Sequence, residues 1–386
     1  MVWHFSVQAR GGVSWYNADM FKNTRMLSAA AAALCAAGLC GCRARVSCAE
    51  RHADVARGEL ERIYETVKTP FKHGVVIAPE RGQMVDSPCV FRFGGKWLMS
   101  YIVFDGKGYE THLAESDDLV RWTKRGRVFS KGAPGAWDSA QSDGCPQLLD
   151  TAWGGSYELS RHDGRYWMTY IGGALDGYET DPLAIGVAWT DDAPDTAEWK
   201  RLPRPVLACS DADARPFEGK TLYRSFVVAD RSRSLGAKYV MFYNAKQRGP
   251  WIERIGMAAS DDMVRWRRVG DGAAIDDSAG RDFAISGDPM VQRIGDLWVM
   301  FYFGCGWRDG AKGAFDTFAV SRDLVHWTKW DGPALVEPSE GWDAEHAHKP
   351  WVVFHGGTVY HFYCAVGNRG RCIALAASRP LHERQK

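Results

Sequence analysis

Ser116-Asp117-Asp118-Leu119-Val120-Arg121-Trp122, Ser260-Asp261-Asp262-Met263-Val264-Arg265-Trp266 and Ser321-Arg322-Asp323-Leu324-Val325-His326-Trp327 are three copies of one heptapeptide, S-x-D-[LM]-V-x-W. Each copy follows a short apolar run of strand character and precedes another, so it marks the same corner of a repeated sheet. The Ser and Asp can hydrogen-bond their own backbone and hold a tight turn. The apolar residue and the Trp then plug the gap between neighbouring sheets. The motif is a corner piece: it locates functional positions without supplying them.

Working outward from the corners, one rhythm runs from Asp86 onward. A strand opens near a Pro, a Gly-containing turn follows, and an aromatic-rich strand comes next. The first unit reads Asp86-Ser87-Pro88-Cys89-Val90-Phe91, then Gly94-Gly95, then Lys96-Trp97-Leu98-Met99-Ser100-Tyr101. Gly287-Asp288-Pro289 with Leu297 to Tyr302, and His348-Lys349-Pro350 with Val359 to Tyr363, repeat it. Asp163-Gly164 before Arg165 to Tyr170, and Arg224 to Val228 leading to Lys238 to Tyr243, give two more units. Each is a hairpin with β-branched or aromatic alternation. Five units of about 50 to 70 residues with four strands apiece predict an all-β fold, a five-bladed β-propeller with four-stranded antiparallel blades. The second unit ends in a degenerate corner, Trp189-Thr190-Asp191-Asp192 through Trp199. The last unit lacks a final Trp, as expected if its outer strand comes from Gly74-Val75-Val76-Ile77.

Composition bounds the function. The chain has 386 residues, 46% hydrophobic, and a formal charge of +1, which argues against nucleic acid as the main ligand. Its 17 Trp suit both a sheet core and a carbohydrate binder, because sugar rings stack on indole faces. Met26 to Cys42 is apolar, Ala-rich, about as long as a signal-peptide core and short for a membrane span. Lys22 and Arg25 supply its positive flank if translation starts at Met20, leaving residues 1–19 as an over-extended start. Leu39-Cys40-Gly41-Cys42 resembles a bacterial lipobox with Cys42 as the lipidated residue. The reading is an exported lipoprotein whose only membrane contact is this anchor, with plain secretion as the alternative. It divides the chain into an export segment (1–42), a linker with a short amphipathic helix within 50–68 (43–70), and the propeller (71–380). No C-x-x-C spacing argues for zinc or redox chemistry, although Cys364 and Cys372 flank a hairpin and could pair.

The three corners, Asp86-Ser87-Pro88, Gly287-Asp288-Pro289 and His348-Lys349-Pro350 resemble those of the five-bladed propeller glycosidases: glycoside hydrolase family 43 and its relatives, families 32, 117 and 130. The resemblance covers roughly residues 72–380. It implies a central pocket lined by the first residues of each innermost strand, with Asp86 as general base or nucleophile and a second Asp and a Glu acid from other units. Counting back from the corners places Arg224, Gly287 and His348 in the slot of Asp86, with Asp288 one position on.

Glycosidic cleavage uses two carboxyl groups, one protonating the leaving oxygen and one acting on water or the anomeric carbon. The catalytic candidates, in order, are Asp86, Asp288, Glu218, Glu158 and Glu253. An Asp before Ser-Pro also caps turns, Glu218 lies in a loop and Glu253 stands beside an Arg, so each has a plain structural alternative. Candidate substrate-binding residues are Arg224, His348, Asp143, Trp137 and Trp307. A cation at a strand opening suits a carboxylate-bearing sugar or a ring hydroxyl. Trp137, Trp153, Trp307 and Trp342 lie in Gly-rich loops as candidate sugar platforms. His346 and His348 share one strand face, but no third ligand is evident and no metal is expected. His348 as general acid is a variant of the same chemistry. The sequence therefore predicts a glycoside hydrolase that takes a carbohydrate substrate and needs no cofactor. A non-catalytic carbohydrate-binding propeller and a phosphorylase like family 130 are the alternatives, the latter drawing on Arg224, His348 and Lys349. Sugar, linkage and oligomeric state are not legible.

Overall fold

The computed structural model describes residues 54–276, 284–306 and 313–381. The export segment 1–42, its Cys42, and Trp307 lie outside the described residues. The helix α1 (Arg57–Val67) buries Leu60, Ile63 and Val67, one apolar stripe at helical spacing. Tyr64 stacks on Trp330 at 5.0 Å, so the helix docks against the β-domain. No helix among the described residues is long and apolar enough to cross a membrane.

The strands run β1 (Phe71–Ile77), β2 (Met84–Phe93), β3 (Lys96–Phe104), β4 (Tyr109–Ser116), β5 (Thr123–Phe129), β6 (Gln141–Pro146), β7 (Tyr166–Gly173), β8 (Ala184–Thr190), β9 (Lys200–Arg201) and β10 (Thr221–Ala229). They continue as β11 (Tyr239–Lys246), β12 (Ile252–Ser260), β13 (Arg267–Val269), β14 (Ala284–Ile294), β15 (Leu297–Cys305), β16 (Phe315–Ser321), β17 (Thr328–Lys329), β18 (His346–His355), β19 (Thr358–Gly367) and β20 (Gly370–Ala377). β2 to β5 and β6 to β9 form four-stranded antiparallel sheets. β10 to β17 form an eight-stranded sheet of two antiparallel meanders, joined where Ile252 and Glu253 pair in parallel with Ala284 and Ile285. The last sheet is β18-β19-β20 closed by β1, so the strand expected at residues 74–77 does come from the N-terminal side.

The corners hold these sheets together by one repeated set of bonds. The Ser hydroxyl accepts the N–H of the apolar residue, from Leu119, Met263 and Leu324. The Asp carboxylate accepts the next two N–H groups. The apolar residue sits in left-handed backbone, with φ of 65°, 63° and 68°, and the Trp indole N–H donates to its carbonyl. Trp122 then meets Phe362 of the last sheet edge-on at 5.7 Å, and Trp327 meets Phe242 at 5.5 Å. Trp266 packs in the cluster of Trp167 and Trp189. The degenerate corner keeps the indole bond, from Trp199 to the Thr196 carbonyl, and packs on Phe129. Each corner Trp thus fills the seam with the preceding sheet, and the first sheet's fills the seam with the last.

The inner strands share a second device. β2, β10, β14 and β18 each carry a bulge near their start, where two residues face one on the partner strand. The bulged pairs are Ser87-Pro88, Tyr223-Arg224, Asp288-Pro289 and Lys349-Pro350. In three of them the residue before proline has positive φ: Ser87 50°, Asp288 48° and Lys349 63°. Left-handed non-glycine backbone is strained and concentrates at functional sites. The register also corrects the count from the corners. Leu222, not Arg224, occupies the slot of Asp86, Gly287 and His348.

Candidate active site

At these strand openings charged side chains converge. Asp86 is buried and held by four donors: Oδ1 accepts the Ser87 N–H at 2.7 Å, and Oδ2 accepts from Tyr178 Oη at 2.8 Å, Lys349 Nζ at 2.8 Å and Arg371 Nη1 at 3.0 Å. Burial alone would push this carboxyl up, but Lys349 and Arg371 hold it well below the usual carboxylate range. Lys349 also pairs with Glu179 Oε1 at 3.1 Å. Glu179 belongs to the loop between β7 and β8, and this loop is strapped down. Gln141 Nε2 donates to the carbonyls of Leu175 and Gly177, and the Glu179 N–H donates to Tyr109 Oη.

His348 donates from Nδ1 to the Cys364 carbonyl and accepts at Nε2 from Arg371, a tautomer fixed by these two partners. Burial and the adjacent Arg371 drive its pKa well below the usual imidazole value. A neutral imidazole with both nitrogens engaged is not a general acid, so that variant is set aside. His346 Nδ1 accepts the Ala314 N–H, and among the described residues no group of three or more metal-ligating side chains forms.

Glu253 opens β12 and is buried. Asn244 Nδ2 donates to its Oε2 at 2.9 Å and Trp251 Nε1 to its Oε1 at 2.8 Å. Burial pushes its carboxyl up to about 7 against the pull of these two donors, with Glu179 adding to the rise. Asn244 explains why the fourth inner strand has glycine where the first has Asp86. A Cβ on Gly287 would lie 2.5 Å from Asn244 Nδ2 and 2.7 Å from Phe303. Asp288, one residue on, is buried and raised by desolvation against Lys349 and Arg224. Asp143 opens β6, and burial lifts it to about 6 against the attraction of Arg224.

The strand openings therefore bring together Asp86, Asp288, Asp143, Arg224, His348 and, across the cluster, Glu253. Other candidates lie elsewhere. Glu218 is fully buried in a separate network, accepting from Arg215 Nε at 2.7 Å, Arg268 Nε at 2.6 Å and Tyr243 Oη at 2.7 Å, and these donors consume it structurally. Glu158 is exposed on an isolated bridge to Arg92. Trp137 is wedged against Tyr170 at 5.5 Å, filling the space over Gly172 rather than offering a face. Trp153 stacks on Phe354 at 5.2 Å, and Trp342 donates to Tyr363 Oη. Cys364 and Cys372 are free and face opposite partners, Ile373 and Ala365.

Sequence reasoning passed over Glu179, Tyr178, Arg371, Asn244 and Trp251, and gave Lys349 only a phosphate role. Aligning the units on their prolines, rather than on the corners, would have placed Lys349 beside Asp288. Arg371 stands directly before the apolar run Cys372-Ile373-Ala374-Leu375, at the start of β20, a signal that could have been read.

A propeller-type arrangement of sheets with buried carboxyl groups of opposed tuning at its strand openings is that of a glycosidase. Two solved structures agree over most of the sequence. One, described as a complex of BT0996 and RGII, is 46% identical, with a TM-score of 0.81 over 86% of this protein and 98% of that one. A second, described as a glycoside hydrolase, is 45% identical with the same TM-score and coverage. A thermostable family-43 glycoside hydrolase, 15% identical with a TM-score of 0.57 over 80% of this protein and 97% of its own length, shares the fold. No protein-family model and no curated protein matches the sequence. The protein belongs to the glycoside hydrolases and is a glycosidase.

Proposed function

We propose that this glycosidase hydrolyses its substrate with Glu253 as general acid and Glu179 as the facing carboxylate. The observation that carries the assignment is the contrast in their partners. Glu253 is buried with two neutral donors and tuned to about 7, so about half of it is protonated at neutral pH, where an ordinary carboxyl is almost wholly ionised. Glu179 is ion-paired with Lys349 and its side chain keeps 29% exposure, where substrate and water reach it. Glu253 protonates the glycosidic oxygen as the bond to the anomeric carbon breaks. Glu179 faces the positive charge developing there, as base toward water or as nucleophile. Asp86 has its Oδ2 taken by three donors. It positions Lys349, Arg371 and, through Tyr178, the loop that presents Glu179.

The fold reading behind this is a five-bladed propeller. Splitting the eight-stranded sheet at its two-residue parallel joint gives five four-stranded units, and the seam packing of the corner tryptophans supports ring closure. Lys349 and Arg371 are committed to carboxylates, which favours hydrolysis over phosphorolysis. A relative seen in a complex named for RGII supports a carbohydrate as substrate. The Met26–Cys42 segment supports export as a Cys42-lipidated protein, and Cys42→Ala should release it from the membrane fraction.

The test is a panel of 4-nitrophenyl and phenyl glycosides, with RGII beside it, in phosphate-free buffer. Wild type is expected to release product and Glu253→Gln to be inactive on the poorer leaving groups. Equal rates would remove Glu253 from the mechanism, and turnover only with added phosphate would establish the phosphorylase instead.

A further inference from the structure

Two groups at the strand openings are not explained by proton transfer. Asp143 and Arg224 are 2% and 8% exposed, yet both Asp143 carboxylate oxygens and Arg224 Nη2 are buried without a hydrogen-bond partner. Buried polar atoms in native proteins are nearly always paired, and an unpaired one carries its full desolvation cost. The two residues do not satisfy each other, although each is the other's strongest charged neighbour. Arg224 cannot swing across, because its Nη1 is spent on the Ser87 carbonyl of the first sheet. Asn244 Oδ1, beside the acid, and Ser286 Oγ, one residue before Gly287, are likewise unpaired.

A group that completes both residues must donate to a carboxylate and accept from a guanidinium. A hydroxyl does both. The carboxylate of an acidic sugar cannot donate to Asp143, and it would sit among Asp86, Asp288 and Glu179. Lys349 and Arg371, the cations that would otherwise greet it, already hold Asp86. Resting on the glycosidase reading above, we propose that Asp143 and Arg224 clamp two neighbouring hydroxyls of the sugar whose glycosidic bond is cut, which makes the enzyme selective for an uncharged glycone with an intact vicinal diol.

The probe is the phenyl glycoside of the sugar that wild type turns over, with its monodeoxy analogues. A site built around a hydroxyl rejects the analogue lacking it, so for one analogue wild type should lose roughly 10²- to 10⁴-fold in kcat/KM. Asp143→Asn should lose roughly 10- to 100-fold on the parent glycoside, as expected for a hydrogen bond to a charged group. On the matching deoxy analogue that loss should shrink to less than about threefold, the sign of direct coupling. Arg224→Lys, a second variant in case Asp143→Asn perturbs folding, should couple in the same way to the adjacent hydroxyl. Equal losses on parent and on every analogue would overturn the clamp and leave Asp143 as a residue that tunes its neighbours' charge. Glu253→Gln on the same substrates separates the two readings. If it keeps full activity while the deoxy coupling is present, the acid assignment fails and the clamp stands. If it is inactive and no coupling appears, the clamp alone fails.

Discussion

The corners and the strand openings are both repeated around the molecule, but they have diverged very differently. Three corners retain the same Ser and Asp bonds, the same left-handed apolar residue and the same indole-to-carbonyl bond. Four openings retain only a bulge, and it carries Ser87-Pro88, Tyr223-Arg224, Asp288-Pro289 or Lys349-Pro350. A corner must bury one tryptophan against the preceding sheet, and the same solution serves at every seam. An opening contributes one wall of an asymmetric site, and each wall needs different chemistry. Backbone geometry is shared at both places, and only at the openings is it used to aim unlike side chains.

The widest gap between the two regions should appear in rate. Glu253→Gln, at an opening, is expected to lower kcat roughly 10²- to 10⁴-fold on substrates with poor leaving groups, the usual contribution of a positioned acid. Its melting temperature should fall by about a few degrees, because the amide nitrogen must face one of the two donors, Asn244 Nδ2 or Trp251 Nε1, that the carboxyl oxygens accept. Steady-state kinetics with a series of aryl leaving groups checks this, since the loss should shrink as the leaving group improves.

Asp86→Asn sharpens the contrast, because Asp86 combines a site position with a structural duty. Removing one member of a buried ion cluster costs on the order of 3–5 kcal/mol. Urea unfolding should show that loss together with a fall in kcat/KM, as Lys349 and Arg371 are left without their shared partner. The sign with pH follows from its lowered folded value. The stabilisation is fully present above the unfolded pKa of about 3.9 and is lost as pH falls through the folded value. The variant's stability should therefore depend less on acid than the wild type's does.

The smallest effect belongs to the corners. Ser260→Ala removes the acceptor of the Asp262 and Met263 N–H groups and should cost about 1–3 kcal/mol. Because the corner touches nothing at the openings, kcat/KM at a permissive temperature should stay at the wild-type value. A corner variant that slowed turnover without unfolding would break the division drawn between the two regions.

What the sequence disclosed follows the same division. The corners were legible because their chemistry is local: Ser and Asp bond backbone two or three residues on, and a heptapeptide contains the whole device. The openings were half legible. The prolines mark them, but a bulge shifts which residue faces inward, so counting from the corners misplaced Arg224 by two positions. Asp86, Asp143 and Asp288 were found as acids on strands. Gly287 is explained only by Asn244, on β11 of the preceding meander, which fills the space a side chain would need. Glu179 was invisible because it sits in a loop without periodicity, and its place is set by distant residues, Gln141, Tyr109 and, through the adjacent Tyr178, Asp86. Glu218 and Glu158 misled for the reverse reason. A carboxylate among apolar neighbours signals a partner or a job, and the sequence does not say that Arg215 and Arg268 are the partners, or that Glu158 faces solvent.

The most direct test of the central claim is the pH dependence of kcat for a phenyl glycoside substrate, whose poor leaving group needs the acid. Glu253 must be protonated to act, and burial sets its carboxyl to about 7. The rate should hold at lower pH and fall as pH rises through about 7, and that alkaline limb should vanish in Glu253→Gln. A limb that persists unchanged in the variant would contradict the assignment of Glu253 as the acid.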